Sequence, residues 1–219
     1  MNYEIIGSSS KGNCIIVEDI LMLDCGVSYS KIKNYLSKVK LIFISHGHFD
    51  HLNLKTIKQV AYNYPNIKYI IGSREVTIKL VENGVNKKNV YYLKEKRWYS
   101  LGIIDVRLER LVHDVENYCL KAKFNTINKK MIYVVDTMKI DHITAKNYDL
   151  FLIESNYNED LLKEHIENCE DEGMLKYLQR VPYTHLSDTQ CNDFLIENMG
   201  EDSEYLKLHQ SSYNYKDID

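Results

Sequence analysis

Short apolar runs alternate with polar turns along most of the chain. Ten of these runs are only four to six residues long, and several are rich in Val, Ile and Tyr, a pattern that favours β-strands over helices. The predicted strands are Tyr3–Ile6, Cys14–Glu18, Ile20–Asp24, Leu41–Ser45, Lys68–Gly72, Val90–Leu93, Ile103–Leu108, Tyr118–Lys123, Lys130–Val135 and Leu150–Glu154.

Helical patterns lie between and after these runs. Gly84 provides a C-terminal cap for the third predicted helix, and Ser187 or Asp188 can cap the last one. The order of elements predicts an α/β layered fold, and the absence of a linker or repeat predicts a single domain over residues 1–219. The predicted helices are Tyr29–Leu36, Asn53–Asn63, Arg74–Asn83, Glu159–Cys169 and Asp188–Asn198.

Composition narrows the class of protein. Hydrophobic residues make up 44% and charged residues 27%, as in an ordinary soluble protein. A net charge of −3 favours a small substrate over long nucleic acid, because proteins that grip nucleic acid usually have a basic face. Five cysteines without a CxxC pair argue against a disulfide scaffold and against a cysteine zinc site.

The sequence also bears on location. Residues 1–7 contain no basic region followed by a long apolar stretch, and no segment approaches the length needed to cross a bilayer. We therefore expect a cytoplasmic protein without membrane association.

The most informative stretch is His46-Gly47-His48-Phe49-Asp50-His51, which follows the predicted strand Leu41–Ser45. On an extended segment His46 and His48 point to the same side, so they can bind one ion. Beyond the turn, Asp50 and His51 can face a second ion, which the carboxylate helps to neutralise. The alternative is a chance His-rich loop, but the complete pattern ahead of an amphipathic helix favours a dinuclear metal site.

At this point the chain resembles the metallo-β-lactamase fold superfamily of metallohydrolases, and its remaining motifs occur in the order of that family. They are Leu23-Asp24-Cys25-Gly26, Leu111-Val112-His113-Asp114, Ile132-Tyr133-Val134-Val135-Asp136 and Leu206-Lys207-Leu208-His209. The resemblance spans residues 7–211 and implies a four-layer αβ/βα sandwich with two divalent metal ions, zinc in preference to manganese.

The resemblance also implies a role for each motif residue. One ion would be held by His46, His48 and His113, and the other by Asp50, His51 and His209. Asp136 would bridge the two ions. Asp24 would fix a ligand histidine from behind the metals.

Three further motifs look like those of a branch that cleaves phosphodiesters, which includes the YycJ-type exonucleases and the tRNA 3′-end endonucleases. They are Gly7-Ser8-Ser9-Ser10-Lys11-Gly12-Asn13, Ile153-Glu154-Ser155-Asn156-Tyr157 and Thr184-His185-Leu186-Ser187. This likeness implies that His185 is the general acid and that Glu154 orients it. Asp50 counts as catalytic as well as a ligand.

The short spacings between these motifs narrow the choice of enzyme group within the branch. Only 22 residues separate His113 from Asp136, which leaves no room for the substrate-clamping arm of the tRNA endonucleases. The 48 residues between Asp136 and His185 exclude the domain inserted in RNase J-type nucleases. The compact core looks most like the phage anti-Pycsar enzymes, homodimers that hydrolyse 3′,5′-cyclic mononucleotides and so counter bacterial antiphage signalling. We therefore predict this activity and a homodimer, in the host cytoplasm if the gene belongs to a phage.

Two alternatives stay open. The protein could be a YycJ-type single-strand or 5′-exonuclease, or a protein that sequesters nucleotides without cleaving them. Isolated residues have ordinary interpretations: His142 and His165 as surface or core histidines, and Trp98 as part of a core edge or an interface rather than a base-stacking residue.

Overall fold

The computed structural model describes residues 1–211, which form two six-stranded sheets. The first sheet has the order β1-β2-β3-β4-β5-β6 and the second β12-β11-β10-β9-β8-β7. The strands are β1 Tyr3–Gly7, β2 Cys14–Val17, β3 Leu21–Leu23, β4 Leu41–Ile44, β5 Lys68–Ile71, β6 Val90–Tyr92, β7 Trp98–Ser100, β8 Ile104–Leu111, β9 Asn117–Phe124, β10 Lys129–Val134, β11 Leu150–Glu154 and β12 Glu204–Leu208.

Helices cover the outer faces of both sheets. The helices α1–α3 pack on the first sheet, and α6 packs on the second. Among residues 1–211, no helix combines the length and the apolar character that a membrane span requires. The helices are α1 Tyr29–Ile32, α2 Leu54–Asn63, α3 Arg74–Glu82, α4 Glu159–Glu167, α5 Glu172–Thr184 and α6 Asp188–Asn198, and Lys87–Asn89 form a short 3₁₀ turn.

Strand β4 shows why the layers stack in this way. All four of its residues are buried. Leu41 and Phe43 point between the two sheets, whereas Ile42 and Ile44 point to the helices, because successive side chains of a strand alternate in direction. An all-apolar strand therefore contributes side chains to two cores. The resulting helix–sheet–sheet–helix order confirms the predicted αβ/βα sandwich.

Two strands and one α-helix were not among the predicted elements. Strands β7 and β12 form the two edges of the second sheet, and α5 is a 13-residue helix. Gly173 lies at the start of α5 and Pro182 lies near its end, and both residues weaken a helical pattern. Asp171 caps the helix by accepting a hydrogen bond from the backbone N–H of Met174, so the helix begins where the sequence looks like an acidic turn.

The ends of several strands bring the predicted site residues together. Asp24 directly follows β3, Glu154 is the last residue of β11, and His209 directly follows β12. Asp136 lies two residues beyond β10 and His46 two residues beyond β4. Because these strands come from both sheets, the site spans the rim of the sandwich.

Candidate metal centre

Three imidazoles converge at the first candidate ion position. His48 Nδ1 lies 3.1 Å from His46 Nε2 and 3.3 Å from His113 Nε2. Together with a carboxylate oxygen of Asp136, all four candidate ligand atoms lie within 4.8 Å of one another. This spacing suits a single ion bound by three nitrogens and one oxygen.

A second set lies beside the first. Ligand atoms of Asp50, His51, Asp136 and His209 also lie within 4.8 Å of one another. Asp136 Oδ2 is 3.3 Å from His51 Nε2 and 3.5 Å from His46 Nε2, so it reaches both sets. The structure thus brings together all seven residues that the sequence predicts as ligands, and Asp136 lies where a bridging carboxylate belongs.

In two of these histidines a hydrogen bond at Nδ1 fixes the orientation of the ring and therefore the direction of Nε2. His113 Nδ1 lies 3.1 Å from the carbonyl oxygen of Thr184, and His51 Nδ1 lies 2.6 Å from Asp24 Oδ2. Because a carbonyl oxygen and a carboxylate only accept, each Nδ1 donates its hydrogen, and the lone pair of a neutral ring is left on Nε2. Both Nε2 atoms face the candidate ion positions.

Asp24 is the buried anchor of this arrangement. Besides His51, its carboxylate accepts hydrogen bonds from the backbone and hydroxyl of Ser45 and from the hydroxyl of Tyr133. A metal-binding imidazole commonly depends on such a carboxylate for its orientation and basicity. The structure therefore places Asp24 where the sequence predicts it, behind a candidate ligand.

The loop between His46 and His51 is held against the chain that follows β3 and against the turn that precedes β2. The backbone N–H of Cys25 donates to the carbonyl of His51 at 2.9 Å, and that of Asn13 donates to the carbonyl of Asp50 at 2.7 Å. Gly26 permits this close approach, because a Cβ atom there would lie 1.7 Å from the carbonyl oxygen of Asp50.

Three site residues have left-handed backbones. The φ angles are 57° at Asp24, 51° at Asp136 and 54° at His209. This region is uncommon for residues other than glycine, and such residues cluster at functional sites, where the surrounding structure holds them. Each of the three follows the end of a strand, and the left-handed backbone there directs the side chain away from the sheet and into the site.

The electrostatics separate the histidines into two groups. Burial lowers the pKa of His46 and His113, which keeps these rings neutral as ligands must be. Burial also opposes a charge on His51 and His209, but Asp136 together with Asp24 at His51, and with Asp50 and Glu154 at His209, outweighs it and raises both pKa values, that of His209 to about 10. The carboxylates that favour a proton at these positions also attract a metal cation, which must displace that proton to bind.

Two buried polar atoms of the site have no hydrogen-bond partner within residues 1–211. They are Asp136 Oδ1 and His209 Nε2, and both are inaccessible to solvent. They lie 3.2 Å from His209 Nδ1 and 3.5 Å from Asp50 Oδ2, respectively. Burying polar atoms without a hydrogen bond is costly, whereas an ion would satisfy them. Imidazole nitrogens combined with carboxylate oxygens are a donor set that suits zinc or manganese, so the residues fit the predicted ions.

His185 and Glu154 form a pair beside these ligands, and their candidate ligand atoms lie within 4.8 Å of those of Asp136 and His209. Glu154 is fully buried, and its Oε2 accepts from the backbone N–H groups of Thr137 and Leu186. Its Oε1 lies 2.6 Å from His185 Nδ1, and 3.2 Å from His209 Nδ1. Burial opposes charge on both members of the pair, yet their attraction raises the pKa of His185 and lowers that of Glu154.

A cavity of about 440 Å³ opens over this site. Its lining includes predicted ligands, His185, and Ser9, Ser10 and Lys11 of the Gly/Ser turn. It also includes one face of α5, which we call the α5 wall: Tyr177, Arg180, Val181 and Thr184.

Sequence reasoning missed the α5 wall, since it did not predict the helix. It also assigned no role to Asp114, the residue after His113. The carboxylate of Asp114 pairs with the guanidinium of Arg180, and its Oδ1 lies 3.1 Å from His113 Nε2. The position beside a predicted ligand is the only sequence signal that could have singled out Asp114. Trp98 lies on the edge strand β7 and does not line the cavity.

No protein-family model matches the chain. The structure of YhfI from Bacillus subtilis, a metallo-β-lactamase fold protein, superposes with a TM-score of 0.67 at 16% identity, covering 95% of this chain and 85% of that one. The chain has the metallo-β-lactamase fold. Human tRNase Z, short form, gives a TM-score of 0.69 at 13% identity (97% and 93% covered), and a diphosphatase of the PhnP family gives 0.64 at 12% (97% and 87% covered).

Curated sequences match only a segment. Cytidine monophosphate-N-acetylneuraminic acid hydroxylase of Asterias rubens is 35% identical over 69 residues, which is 31% of this chain and 11% of that protein. The Sus scrofa protein of the same name is 32% identical over 68 residues, 30% of this chain and 16% of that protein. The chain thus matches about a tenth to a sixth of the length of these relatives. Among the structural neighbours with this fold, tRNase Z and the diphosphatase are hydrolases.

Proposed function

We propose that this protein is a metal-dependent phosphodiesterase that hydrolyses 3′,5′-cyclic mononucleotides to 5′-monophosphates. The observation that carries the proposal is the His185–Glu154 pair, because His185 lines the same cavity as members of both sets of candidate metal ligands. A dinuclear site alone suits many hydrolytic reactions. An oriented imidazole beside it suits a reaction in which a poor leaving group must be protonated.

The ions would be held as predicted, one by His46, His48 and His113 and the other by Asp50, His51 and His209, with Asp136 between them. When bound, such ions lower the pKa of a water molecule and neutralise the charge that builds on the phosphate oxygens. Asp50 completes the second set, and Asp24 keeps the ring of His51 in place.

His185 would supply the leaving-group proton. Its Nδ1 donates to Glu154, and that carboxylate stabilises the imidazolium form, so Nε2 can donate a proton. In the reaction, a water oxygen forms a bond to phosphorus while the bond from phosphorus to O3′ breaks. O3′ leaves as a hydroxyl with the proton from His185, and a proton of the attacking water passes to solvent.

The size of the cavity supports a small substrate. Its volume of about 440 Å³ lies within the range of roughly 300–1,000 Å³ that is usual for small-molecule pockets. The chain has a net charge of −3 and only 22 residues between His113 and Asp136, which leave no room for a long clamping arm. We extend the proposal to a homodimer that degrades the cyclic nucleotides of bacterial antiphage signalling.

The first experiment incubates metal-loaded protein with a panel of cyclic mononucleotides, cyclic dinucleotides and short RNA, and identifies the products by chromatography. We expect 5′-monophosphates from the cyclic mononucleotides. Shortened oligonucleotides with intact cyclic nucleotides would instead support a YycJ-type exonuclease. Nucleotide that remains bound and is recovered unchanged would support a sequestering protein.

The second experiment tests the role of His185. We expect His185→Ala to slow hydrolysis of a cyclic mononucleotide by about 10²- to 10⁴-fold, the usual contribution of a general acid. Hydrolysis of bis(p-nitrophenyl) phosphate should change little, because p-nitrophenolate leaves without a proton. His165→Ala, on the exposed face of α4, is the matched control. Equal losses on both substrates would remove His185 from this role.

A further inference from the structure

One face of α5 points into the cavity. Tyr177, Arg180, Val181 and Thr184 are spaced as i, i+3, i+4 and i+7, which places them along one side of a helix. All four line the cavity that contains the candidate metal centre. The helix therefore presents a continuous stripe to whatever the cavity binds.

Tyr177 is the aromatic member of this stripe. It is 45% exposed, whereas the next residue, Leu178, is 3% exposed and packs in a small core with Tyr157 and Leu162. The packing of Leu178 thus fixes this part of α5, while the ring of Tyr177 remains accessible from the cavity. Tyr183 on the same helix is 70% exposed but does not line the cavity, so exposure alone does not distinguish Tyr177.

The other end of the stripe reaches the candidate ligands directly. The carbonyl oxygen of Thr184 accepts from His113 Nδ1 at 3.1 Å. Tyr177 lies seven residues before Thr184, which is about 10 Å along a helix. Arg180 lies between them, with its guanidinium paired to Asp114. This separation is comparable to the length of a nucleotide from its phosphate to the far edge of its base.

We propose that Tyr177 forms the nucleobase subsite and stacks on the base of the bound nucleotide. The inference rests on the proposed function, since it assumes that the phosphate lies over the candidate metal centre. An aromatic ring stacks on any base through its π-face, so the subsite would accept both purines and pyrimidines. Base binding through this ring determines affinity and leaves the chemical step to the metal centre and His185.

The kinetic test compares Tyr177→Ala with Tyr183→Ala, which removes the same side chain from the same helix outside the cavity. We expect Tyr177→Ala to raise KM for a cyclic mononucleotide by about 10- to 100-fold with kcat almost unchanged, as for the loss of a base-stacking contact that is equal in ground and transition states. Tyr177→Phe should restore the KM, and Tyr183→Ala should behave as the wild type.

A binding test separates this inference from the proposed function. Calorimetry measures the affinity of the metal-loaded protein for a 5′-mononucleotide and for ribose 5-phosphate, which lacks a base. We expect Tyr177→Ala to weaken only the former, by a similar factor. That result without any hydrolysis of cyclic nucleotides would sustain the subsite and reject the proposed reaction. A Tyr177→Ala variant that matches Tyr183→Ala in KM and affinity, or a wild type without measurable nucleotide affinity, would overturn the subsite.

Discussion

Most of the predicted ligands line the same cavity as the α5 wall, but the two regions are built differently. The ligands follow strand ends of both sheets, and most are deeply buried, with partners such as Asp24 behind His51. The α5 wall belongs to a helix whose apolar residues form a small core of their own with α4. Tyr177 of this wall is 45% exposed, and the side chain of Arg180 is 64% exposed.

This difference indicates a division of labour. Removing one partner from a buried, hydrogen-bonded charge leaves the other unpaired at a cost of several kcal/mol, so changes among the ligands damage the fold and the chemistry together. An exposed side chain on a separately packed helix can change at little cost in stability. We therefore expect the ligands to determine the reaction and the α5 wall to determine the substrate.

The strongest test on the ligand side is Asp136→Asn. The amide would weaken the link between the two ligand sets, because Asp136 Oδ2 lies near both His46 and His51. We expect bound metal to fall and kcat to drop about 1,000-fold or more, since each ion contributes several kcal/mol to catalysis. Mass spectrometry of the metals and a steady-state assay measure the two effects.

The matched control is Asp141→Asn, which changes an exposed carboxylate five residues further along the chain. It should leave both metal content and kcat as in the wild type. Full metal content in Asp136→Asn would show that Asp136 does not bridge.

A smaller loss is expected for Glu154→Gln. Two backbone N–H groups require an oxygen at Oε2, so the amide NH₂ would face His185 and could no longer stabilise an imidazolium. We expect kcat on a cyclic mononucleotide to fall by about 100-fold, at the lower end of general-acid effects, with metal content retained. Glu164→Gln on α4 is the control. A loss of metal equal to that of Asp136→Asn would show that Glu154 supports metal binding and not the general acid.

Asp24→Asn should have a milder effect that excess metal can reverse. The carboxylate fixes His51 from behind the ligands, and replacing such a partner typically costs about 10- to 100-fold in metal affinity. Competition with a chelator measures the affinity, and kcat at saturating metal should stay close to the wild-type value. Unchanged affinity would mean that Ser45 and Tyr133, the other partners of Asp24, are the reason for its burial.

The two regions also differ in how far the sequence predicts them. His46–His51 could be located because several ligand types fall within one short loop, and the runs of buried apolar residues predicted most strands of both sheets. The α5 wall could not be located, because Gly173 and Pro182 weaken the helical pattern. Arg180 and Asp114 are 66 positions apart, and only the fold brings them into contact.

The left-handed backbones of Asp24, Asp136 and His209 are a second feature that local sequence does not predict. Local propensity favours glycine or asparagine at such positions. Here long-range hydrogen bonds, such as those from Ser45 and Tyr133 to Asp24, outweigh it. The identities of the site residues follow from motifs, whereas their geometry follows from packing between the sheets.

The smallest expected effect on the chemistry comes from loosening the α5 wall itself. Leu178→Ala removes a side chain from the small core between α4 and α5, where the loss should be about 2 kcal/mol, the low end for such a deletion. If the helix pair opens as a local unit, hydrogen exchange should accelerate about 30-fold in α4 and α5 but not in β10–β12. KM should rise a few-fold, whereas kcat and metal content should stay unchanged.

The matched variant is Leu195→Ala, which deletes an equally buried leucine from α6 on the second sheet and should lower metal affinity along with global stability. Equal loss of metal in the two variants would show that the wall and the ligands unfold together, through the contact between Thr184 and His113, and would reject the division of labour.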